Sequence, residues 1–383
     1  PSVETIYCLP GNGGIAADAT CVNIGAKDIE GIVKFASENA IDYAVVTPDD
    51  PLVLGSVDAL SAIGIPCFGP DKKAAIIEGS KAFSKDLMKK YGIPTAAYEI
   101  FDDMDKAIAY LQDKDMPIVI KADGLALGKG VIIAQNLAEA EEAVRSMMAD
   151  KVFGASGDHV VIEEFLTGPE VSVLAFTDGK TLIPMVSSMD HKRAHDNDEG
   201  LNTGGMGTIA PNPYYTEDIA KQCMKEIFLP TIRAMKKEGR TFKGCLYFGL
   251  MLTPNGPKVI EYDCRFGGVA KVLFSAVFKN NLTAKHNHWV NTANSLEFYK
   301  TVCANIGCNN SNLIHMGINH NLVLGGIFSF SENKKIAEGI NAVFGIILYL
   351  FDYIITNGIL SSRNSGKSAE FFYCFKHLHR SFR

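Results

Sequence analysis

Along the first part of the chain the apolar residues change period repeatedly, from short solid runs to helical spacing and back. Thr5-Ile6-Tyr7-Cys8-Leu9 reads as a short buried strand that ends in the turn Pro10-Gly11-Asn12-Gly13-Gly14. Asp28 to Asn39 places Ile29, Ile32, Val33 and Ala36 on one helical face. Tyr43 to Val46 is a second strand, closed by Thr47-Pro48-Asp49-Asp50-Pro51. Strands alternating with helices predict a doubly wound parallel sheet, whose ligands sit in the loops that follow the strands.

A helix begins at Ser80, with Phe83, Leu87, Met88 and Tyr91 along one face, and Gly92 and Pro94 stop it. Two strands follow, Ile118 to Ile120 and Val131 to Ile133, separated by the glycine-rich segment Asp123 to Gly130. Asn136 and Glu139 form a capping pair for a helix that buries Ala140, Ala143, Val144, Met147 and Met148. The strand Val160-Val161-Ile162 runs straight into Glu163-Glu164-Phe165-Leu166. A late strand, Pro257 to Tyr262, leads to Asp263; alternation puts Glu261 and Asp263 on the same face.

Composition narrows the class. With 383 residues, 47% hydrophobic and 21% charged, the chain is long enough for two or three globular domains. A net charge of −6 gives no general pull toward nucleic acid or anionic lipid. The apolar run Val343 to Phe351 is about half the roughly 20 residues that span a bilayer, and no secretory signal opens the sequence. Nine irregularly spaced cysteines suggest reduced thiols in a cytoplasmic protein. The averages hide a break, however. No proline occurs after Pro257, and from Gly268 to Arg383 eleven Lys and Arg face five Asp and Glu. The main boundary is therefore expected at Gly267/Gly268.

Three local patterns carry candidate chemistry. In Ile120-Lys121-Ala122-Asp123-Gly124-Leu125-Ala126-Leu127-Gly128-Lys129-Gly130, glycines allow backbone N–H groups to converge on phosphate oxygens, and Lys121 and Lys129 add charge. The spacing is not that of a Walker loop, and the segment joins two strands; alone it also reads as an ordinary hairpin with solvated lysines. The strand end Glu163-Glu164-Phe165-Leu166 can read an adenine edge through its main chain, with Glu170 accepting from ribose hydroxyls. It can equally be a solvated turn. Glu261 and Asp263 offer hard oxygen ligands that suit a cation bridging phosphates, or they simply face solvent.

Taken together, two lysines on a glycine flap, an acidic hinge and a distal carboxylate pair look like an ATP-grasp site. The chain resembles the phosphoribosylamine–glycine ligase family in Pro10-Gly11-Asn12, Phe68-Gly69-Pro70, Gly79-Ser80-Lys81, the flap, and Asp190-His191-Lys192-Arg193. The resemblance continues through Asn202-Thr203-Gly204-Gly205-Met206-Gly207, Gly244 to Met251, and Glu261-Tyr262-Asp263-Cys264-Arg265-Phe266-Gly267. It implies an α/β fold of the ATP-grasp type. Residues 1–75 would form a truncated doubly wound N-terminal domain and 76–267 the ATP-grasp domain, with a flap subdomain at about 95–166. The implied reaction joins glycine to 5-phosphoribosylamine with ATP, through glycyl phosphate. Lys81 and Lys121 would contact the phosphates under a flap that includes Gly124, Gly128, Lys129 and Gly130. Glu163, Glu164, Phe165 and Leu166 would line the adenine site, with Glu170 near the ribose. Glu261 and Asp263 would hold Mg²⁺ or Mn²⁺. Asp190, Lys192 and the 202–207 loop would face the amine and amino-acid substrates, and Arg265 is a further catalytic candidate.

Three departures from the family pattern stand out. The family's first strand and its Gly-Gly-Arg-Glu-His loop would precede Pro1, so the chain is expected to be a fragment. Asp263 stands where the family has Asn, which predicts altered metal affinity. Finally, Gly268-Val269-Ala270 replaces the family's Asp-Pro-Glu continuation. The remainder, 268–383, is expected to be a misjoined or frameshifted tail with no fold of its own. Its Cys303, Cys308, His315 and His320 have too short a central spacer for a zinc finger. The alternatives are an ATP-binding remnant without activity and a different ATP-grasp carboxylate–amine ligase.

Overall fold

The computed structural model describes residues 3–126, 130–195, 199–266 and 372–376; for 192–195, 199–207 and 372–376 it describes the backbone. The first unit runs β1 (Thr5–Leu9), β2 (Thr20–Cys21), α1 (Ile29–Glu38), β3 (Tyr43–Val46), α2 (Asp49–Leu54), α3 (Ser56–Ala62), β4 (Cys67–Phe68) and α4 (Lys72–Gly79). Strands β1 and β3 fall where the apolar runs predict them. Helix α1 is capped by the Asp28 carboxylate accepting from Gly31 N at 2.9 Å. The segment expected to be a closing turn after β3 is instead the start of α2. Its two acidic residues, Asp49 and Asp50, occupy the first turn, where the helix dipole favours them.

The sheet of this unit corrects the expectation of an all-parallel arrangement. Its order is β2-β1-β15-β3-β4, where β15 is the tail segment Phe372–Lys376. β1 runs parallel to β2, and β3 parallel to β4, but β15 lies antiparallel to both β1 and β3. The tail therefore contributes a central strand to the sheet of this unit. The physical reason is backbone pairing. β1 and β3 bond to β15 on facing edges, and Phe372-Tyr373-Cys374-Phe375 is rich in the residue types that suit a covered strand. The Cys303, Cys308, His315 and His320 quartet lies outside the described residues.

The second unit opens with α5 (Lys81–Tyr91), whose N-cap Ser80 accepts from Phe83 N at 3.0 Å and whose stop is Gly92 in the left-handed region. Then come β5 (Tyr98–Phe101), α6 (Met104–Leu111), β6 (Ile118–Ala122), β7 (Val131–Ala134), α7 (Leu137–Met148) and β8 (Val160–Glu164). Their sheet has the order β5-β8-β6-β7, with α6 and α7 packed on it around Ala107, Leu111, Ile120, Ala140, Val144 and Met147. The expected capping pair is formed reciprocally. Asn136 accepts from Glu139 N at 3.0 Å, and Glu139 accepts from Asn136 Nδ2 at 2.8 Å and from Gln135 N at 2.8 Å.

A larger layer follows: β9 (Glu170–Thr177), β10 (Leu182–Pro184), β11 (Met189–His195), β12 (Glu199–Ile209), α8 (Glu217–Cys223), α9 (Leu229–Lys237), β13 (Gly244–Thr253) and β14 (Gly256–Asp263). A π-helical turn, Met224–Phe228, joins α8 to α9. The main sheet here is β10-β9-β13-β14, which leaves β14 at an edge. Asn202 to Gly207, expected as a loop, instead lies in β12, which pairs with β11 as a ribbon, with Asp190 opposite Thr208 and Arg193 opposite Asn202. One core joins this sheet to the first unit and includes Leu9, Ile32, Leu52, Met88, Phe228, Phe248 and Tyr262. The backbones of Phe68-Gly69-Pro70 and β13 touch at a glycine pair: a Cβ on Gly244 would lie 3.3 Å from Gly69 Cα. Both have positive φ, so a side chain at either is opposed by strain and by crowding.

Candidate functional site

Edge strand β14 organises the site because one residue of it is extra. Gly249 pairs with Glu261 and Leu250 with Val259, so Ile260 bulges from the ladder. Its carbonyl, freed from strand pairing, accepts from Lys121 Nζ at 3.1 Å. One residue earlier, Val259 O accepts from the Thr95 hydroxyl at 2.7 Å, and that hydroxyl accepts from Lys85 Nζ at 2.8 Å. Thus β14 anchors two lysines that come from α5 and β6.

Both lysines close on one carboxylate. Glu163 Oε2 is 2.8 Å from Lys85 Nζ, and Glu163 Oε1 is 3.0 Å from Lys121 Nζ. The second contact is an ion pair lying off the line a hydrogen bond needs, and it leaves Oε1 without a hydrogen-bond donor. Lys85, Lys121 and Glu163 are 2%, 4% and 3% exposed, so the cluster is buried and carries one more positive than negative charge. Burial pushes the Lys85 ammonium down to about 8, against the opposing pull of Glu163.

The flap root is tied to the start of α5. The Asp123 carboxylate accepts from Ser80 Oγ at 3.1 Å and from Ala82 N at 3.0 Å, and Lys81 Nζ donates to Gly124 O at 2.7 Å. Gly124 has φ +90°, and a Cβ there would meet Ser156 Oγ at 2.9 Å. Gly130 is described at the far root, whereas Gly128 and Lys129 lie outside the described residues.

The carboxylate pair sits beside this lysine cluster. Glu261 and Asp263 share a face of β14, with Val259 and Tyr262 buried on the other side. Arg265 reaches Glu78 at 3.4 Å, Asp49 at 3.5 Å and Asp263 at 4.0 Å. Glu78 also accepts from Cys264 N at 2.7 Å. Burial first, and then the neighbouring Glu78, holds the Asp263 carboxyl well above the usual carboxylate range. Glu78 is raised as well, chiefly by burial. Four carboxylates thus face the cations Arg265 and Lys81, and Lys81 itself is lowered by burial. Such a surplus of hard oxygen donors fits a divalent cation. Among the described residues no group of three or more His, Cys, Asp or Glu is placed to hold a metal ion by itself.

Asp190 joins the same face. Its carboxylate accepts from Ser172 Oγ at 3.3 Å, and Ser172 Oγ lies 2.9 Å from Tyr247 Oη. Burial, followed by the charges of Glu261, Asp263 and Asp190, keeps the Tyr247 phenol neutral. The backbone of Lys192 lies two residues along β11 from Asp190.

The acidic hinge divides. Glu163 was expected to line an exposed strand end but is buried in the lysine cluster instead. Adjacent positions of β8 face opposite sides of the sheet, and Glu163 takes the inward one. Glu164 points the other way, accepting from Lys258 Nζ at 2.6 Å and Ala97 N at 3.0 Å. Phe165 is exposed, Leu166 half-buried, and Glu170 exposed at the start of β9. The sequence reading missed Lys85, Asp49, Glu78, Ser172 and Tyr247. Only Lys85 had a signal, since it is one helical turn beyond Lys81 on an otherwise core-facing stripe.

Comparisons with known proteins bear on the family and the fold. The N domain of phosphoribosylglycinamide synthetase matches residues 1–78, and the ATP-grasp (A) domain of the same family matches 79–270. A phosphoribosylamine–glycine ligase from Vibrio cholerae is 52% identical over 270 residues, which are 70% of this chain and 63% of that protein. The chain therefore spans less than two thirds of the length of the curated relatives it matches. The crystal structure of a phosphoribosylamine–glycine ligase from Thermotoga maritima superposes with a TM-score of 0.59 at 33% identity, covering 68% of this chain and 63% of that one. The biotin carboxylase domain of a Hydrogenobacter thermophilus 2-oxoglutarate carboxylase shares the fold alone, at 19% identity and a TM-score of 0.52 over 65% of this chain and 55% of that one. With both of its domains matched in order, the chain belongs to the phosphoribosylglycinamide synthetase family and carries an ATP-grasp fold.

Proposed function

We propose that this chain binds ATP and takes part in the ligation of glycine to 5-phosphoribosylamine, giving glycinamide ribonucleotide, ADP and phosphate. The observation that carries the reading is the pairing of a buried, net-positive lysine cluster with a carboxylate surplus, both fixed by β14. A polyphosphate satisfies the first, and a divalent cation bridging to it satisfies the second. In the first step a carboxylate oxygen of glycine attacks the γ-phosphorus, and the bond to the bridging oxygen of ADP breaks. In the second, the amine nitrogen of phosphoribosylamine attacks the acyl carbon, phosphate leaves, and the nitrogen loses a proton.

Lys81 and Lys121 would bind phosphate oxygens, with Gly124 and Gly130 at the roots of a flap that keeps water from the acyl phosphate. The main chain of Glu164 to Leu166 would hold the adenine, with Glu170 near the ribose. Glu261 and Asp263 would hold Mg²⁺ or Mn²⁺, which when bound offsets the phosphate charge. Asp190 would orient an amine through its carboxylate, with Lys192 beside it, and Arg265 would steer the acidic substrates while holding Asp49 and Glu78. A cytoplasmic setting fits the six described cysteines, none of which forms a disulfide.

The test is ADP release that depends on glycine, phosphoribosylamine and Mg²⁺, run beside direct ATP titration. ADP release requiring both co-substrates supports the ligase reading. ATP binding without it reduces the proposal to nucleotide binding, and the absence of ATP binding refutes it.

A further inference from the structure

The buried lysine of α5 needs an explanation that Lys81 and Lys121 do not supply. Lys85 lies on the core side of its helix, surrounded by groups that hold its ammonium fixed. It donates to Thr95, pairs with Glu163, and lies 5.6 Å from the Tyr98 ring centroid. Glu164, at the end of the same β8 strand, and Lys121 of β6 complete the charges that act on it. Burying an ammonium is costly, and stability alone would be served at least as well by an apolar side chain packed there. What Lys85 does accomplish is to occupy one oxygen of the carboxylate that would otherwise belong to Lys121 alone.

We propose that Lys85 is a positioning residue. By sharing Glu163, it keeps the Lys121 charge uncancelled and directed toward the nucleotide phosphates. The inference rests on the ATP-binding reading above. With Lys85 charged, the three-group cluster has a net charge of +1. Without it, Glu163 and Lys121 form a closed neutral pair, and an incoming polyphosphate must compete with a buried carboxylate at about 3 Å, where ion-pair energies are large. The arrangement acts on phosphates and not on the base. It therefore predicts a loss that scales with ligand charge.

The experiment is calorimetric titration of the full chain with ATP and, separately, with adenosine, each in Mg²⁺ at pH 7. For Lys85→Met, ATP affinity should fall at least about tenfold, equivalent to ~1.4 kcal/mol, while adenosine affinity stays within about twofold. The double variant Lys85→Met/Glu163→Gln removes the carboxylate as well and restores an uncancelled Lys121. Its ATP affinity should return to within about threefold of the parent. A packing role predicts the opposite: equal losses for ATP and adenosine, and no rescue.

Should Lys85→Met not fold, the unmutated chain provides the same test by pH. Lys85 is charged below about 8 and neutral above it, so ATP affinity should fall as pH rises through that value while adenosine affinity stays flat. In Lys85→Arg, which stays charged, the fall should become smaller, leaving only what Lys81 contributes. A flat ATP profile in the unmutated chain overturns the proposal. Unmutated chain that binds ATP normally, with Lys85→Met unchanged, sinks this inference alone; unmutated chain that binds no ATP removes the function and the inference together.

Discussion

Replacing Asp263 by Asn should stabilise the metal-free protein at neutral and alkaline pH while weakening its hold on a divalent cation. Asp263 is the least well served of the carboxylates around Arg265, at 4.0 Å against 3.4 Å for Glu78 and 3.5 Å for Asp49. Its own carboxyl is raised by burial and by Glu78. Because the native state holds this proton more tightly than the unfolded chain does, stability is greatest below the ordinary carboxylate range near 4. It then declines as pH rises toward the raised native value. Asparagine has the same shape and no such titration. The side chain keeps 23% of its surface exposed, so the gain is set at about 1–2 kcal/mol, below the ~3–5 kcal/mol of a fully buried unpaired charge. Thermal unfolding in a chelating buffer would read this as a rise of about 2–4 °C per kcal/mol. The advantage should shrink as pH falls and vanish well below pH 4, where Asp263 is protonated in both states. Added Mn²⁺ should stabilise the Asp263 chain more than the Asn variant, because a bound ligand stabilises in proportion to its affinity. Equal or lower stability of the Asn variant at pH 8 without metal would refute the argument that these carboxylates repel one another.

Further outcomes are expected elsewhere. Gly124→Ala should cost about 1–2 kcal/mol and loosen the flap root, since φ is +90° and the new Cβ meets Ser156; denaturant titration measures it. Thr231→Val should cost about 1–3 kcal/mol by the same measurement. It removes a hydroxyl that donates to Ile227 O at 2.7 Å and meets Tyr262 Oη at 2.9 Å, leaving the buried phenol unpaired. Lys258→Met should cost no more than about 1 kcal/mol, because its pair with Glu164 is partly exposed. The Lys258 hydrogen bond, ahead of other causes, lowers the Glu164 carboxyl. That contribution is therefore present above the ordinary carboxylate pKa and lost as pH falls through the lowered one. Cys374→Pro should destabilise the first unit by about 3 kcal/mol, because proline cannot donate within a central strand, and hydrogen exchange of β1 and β3 would report it.

The sequence by itself determined the local elements and pointed to the family. Strands β1 and β3, the capped helices α1, α5 and α7, and the shared face of Glu261 and Asp263 all follow from periodicity, capping residues and alternation. These are properties of neighbours within a few positions of one another. What only the tertiary structure decided depends on residues far apart in the chain. Glu163 and Glu164 look equivalent in sequence, yet adjacent strand positions face opposite sides, so one is buried between two lysines and the other pairs with Lys258 near the surface. Lys85 gains its partners only because α5, β6 and β8 meet under the bulge at Ile260. Asp49 reads as part of a turn, and Glu78 carries no local signal, until Arg265 reaches both from the end of β14. The place of Phe372–Lys376 between β1 and β3 is likewise a matter of open backbone pairing edges, which no local pattern in the tail records.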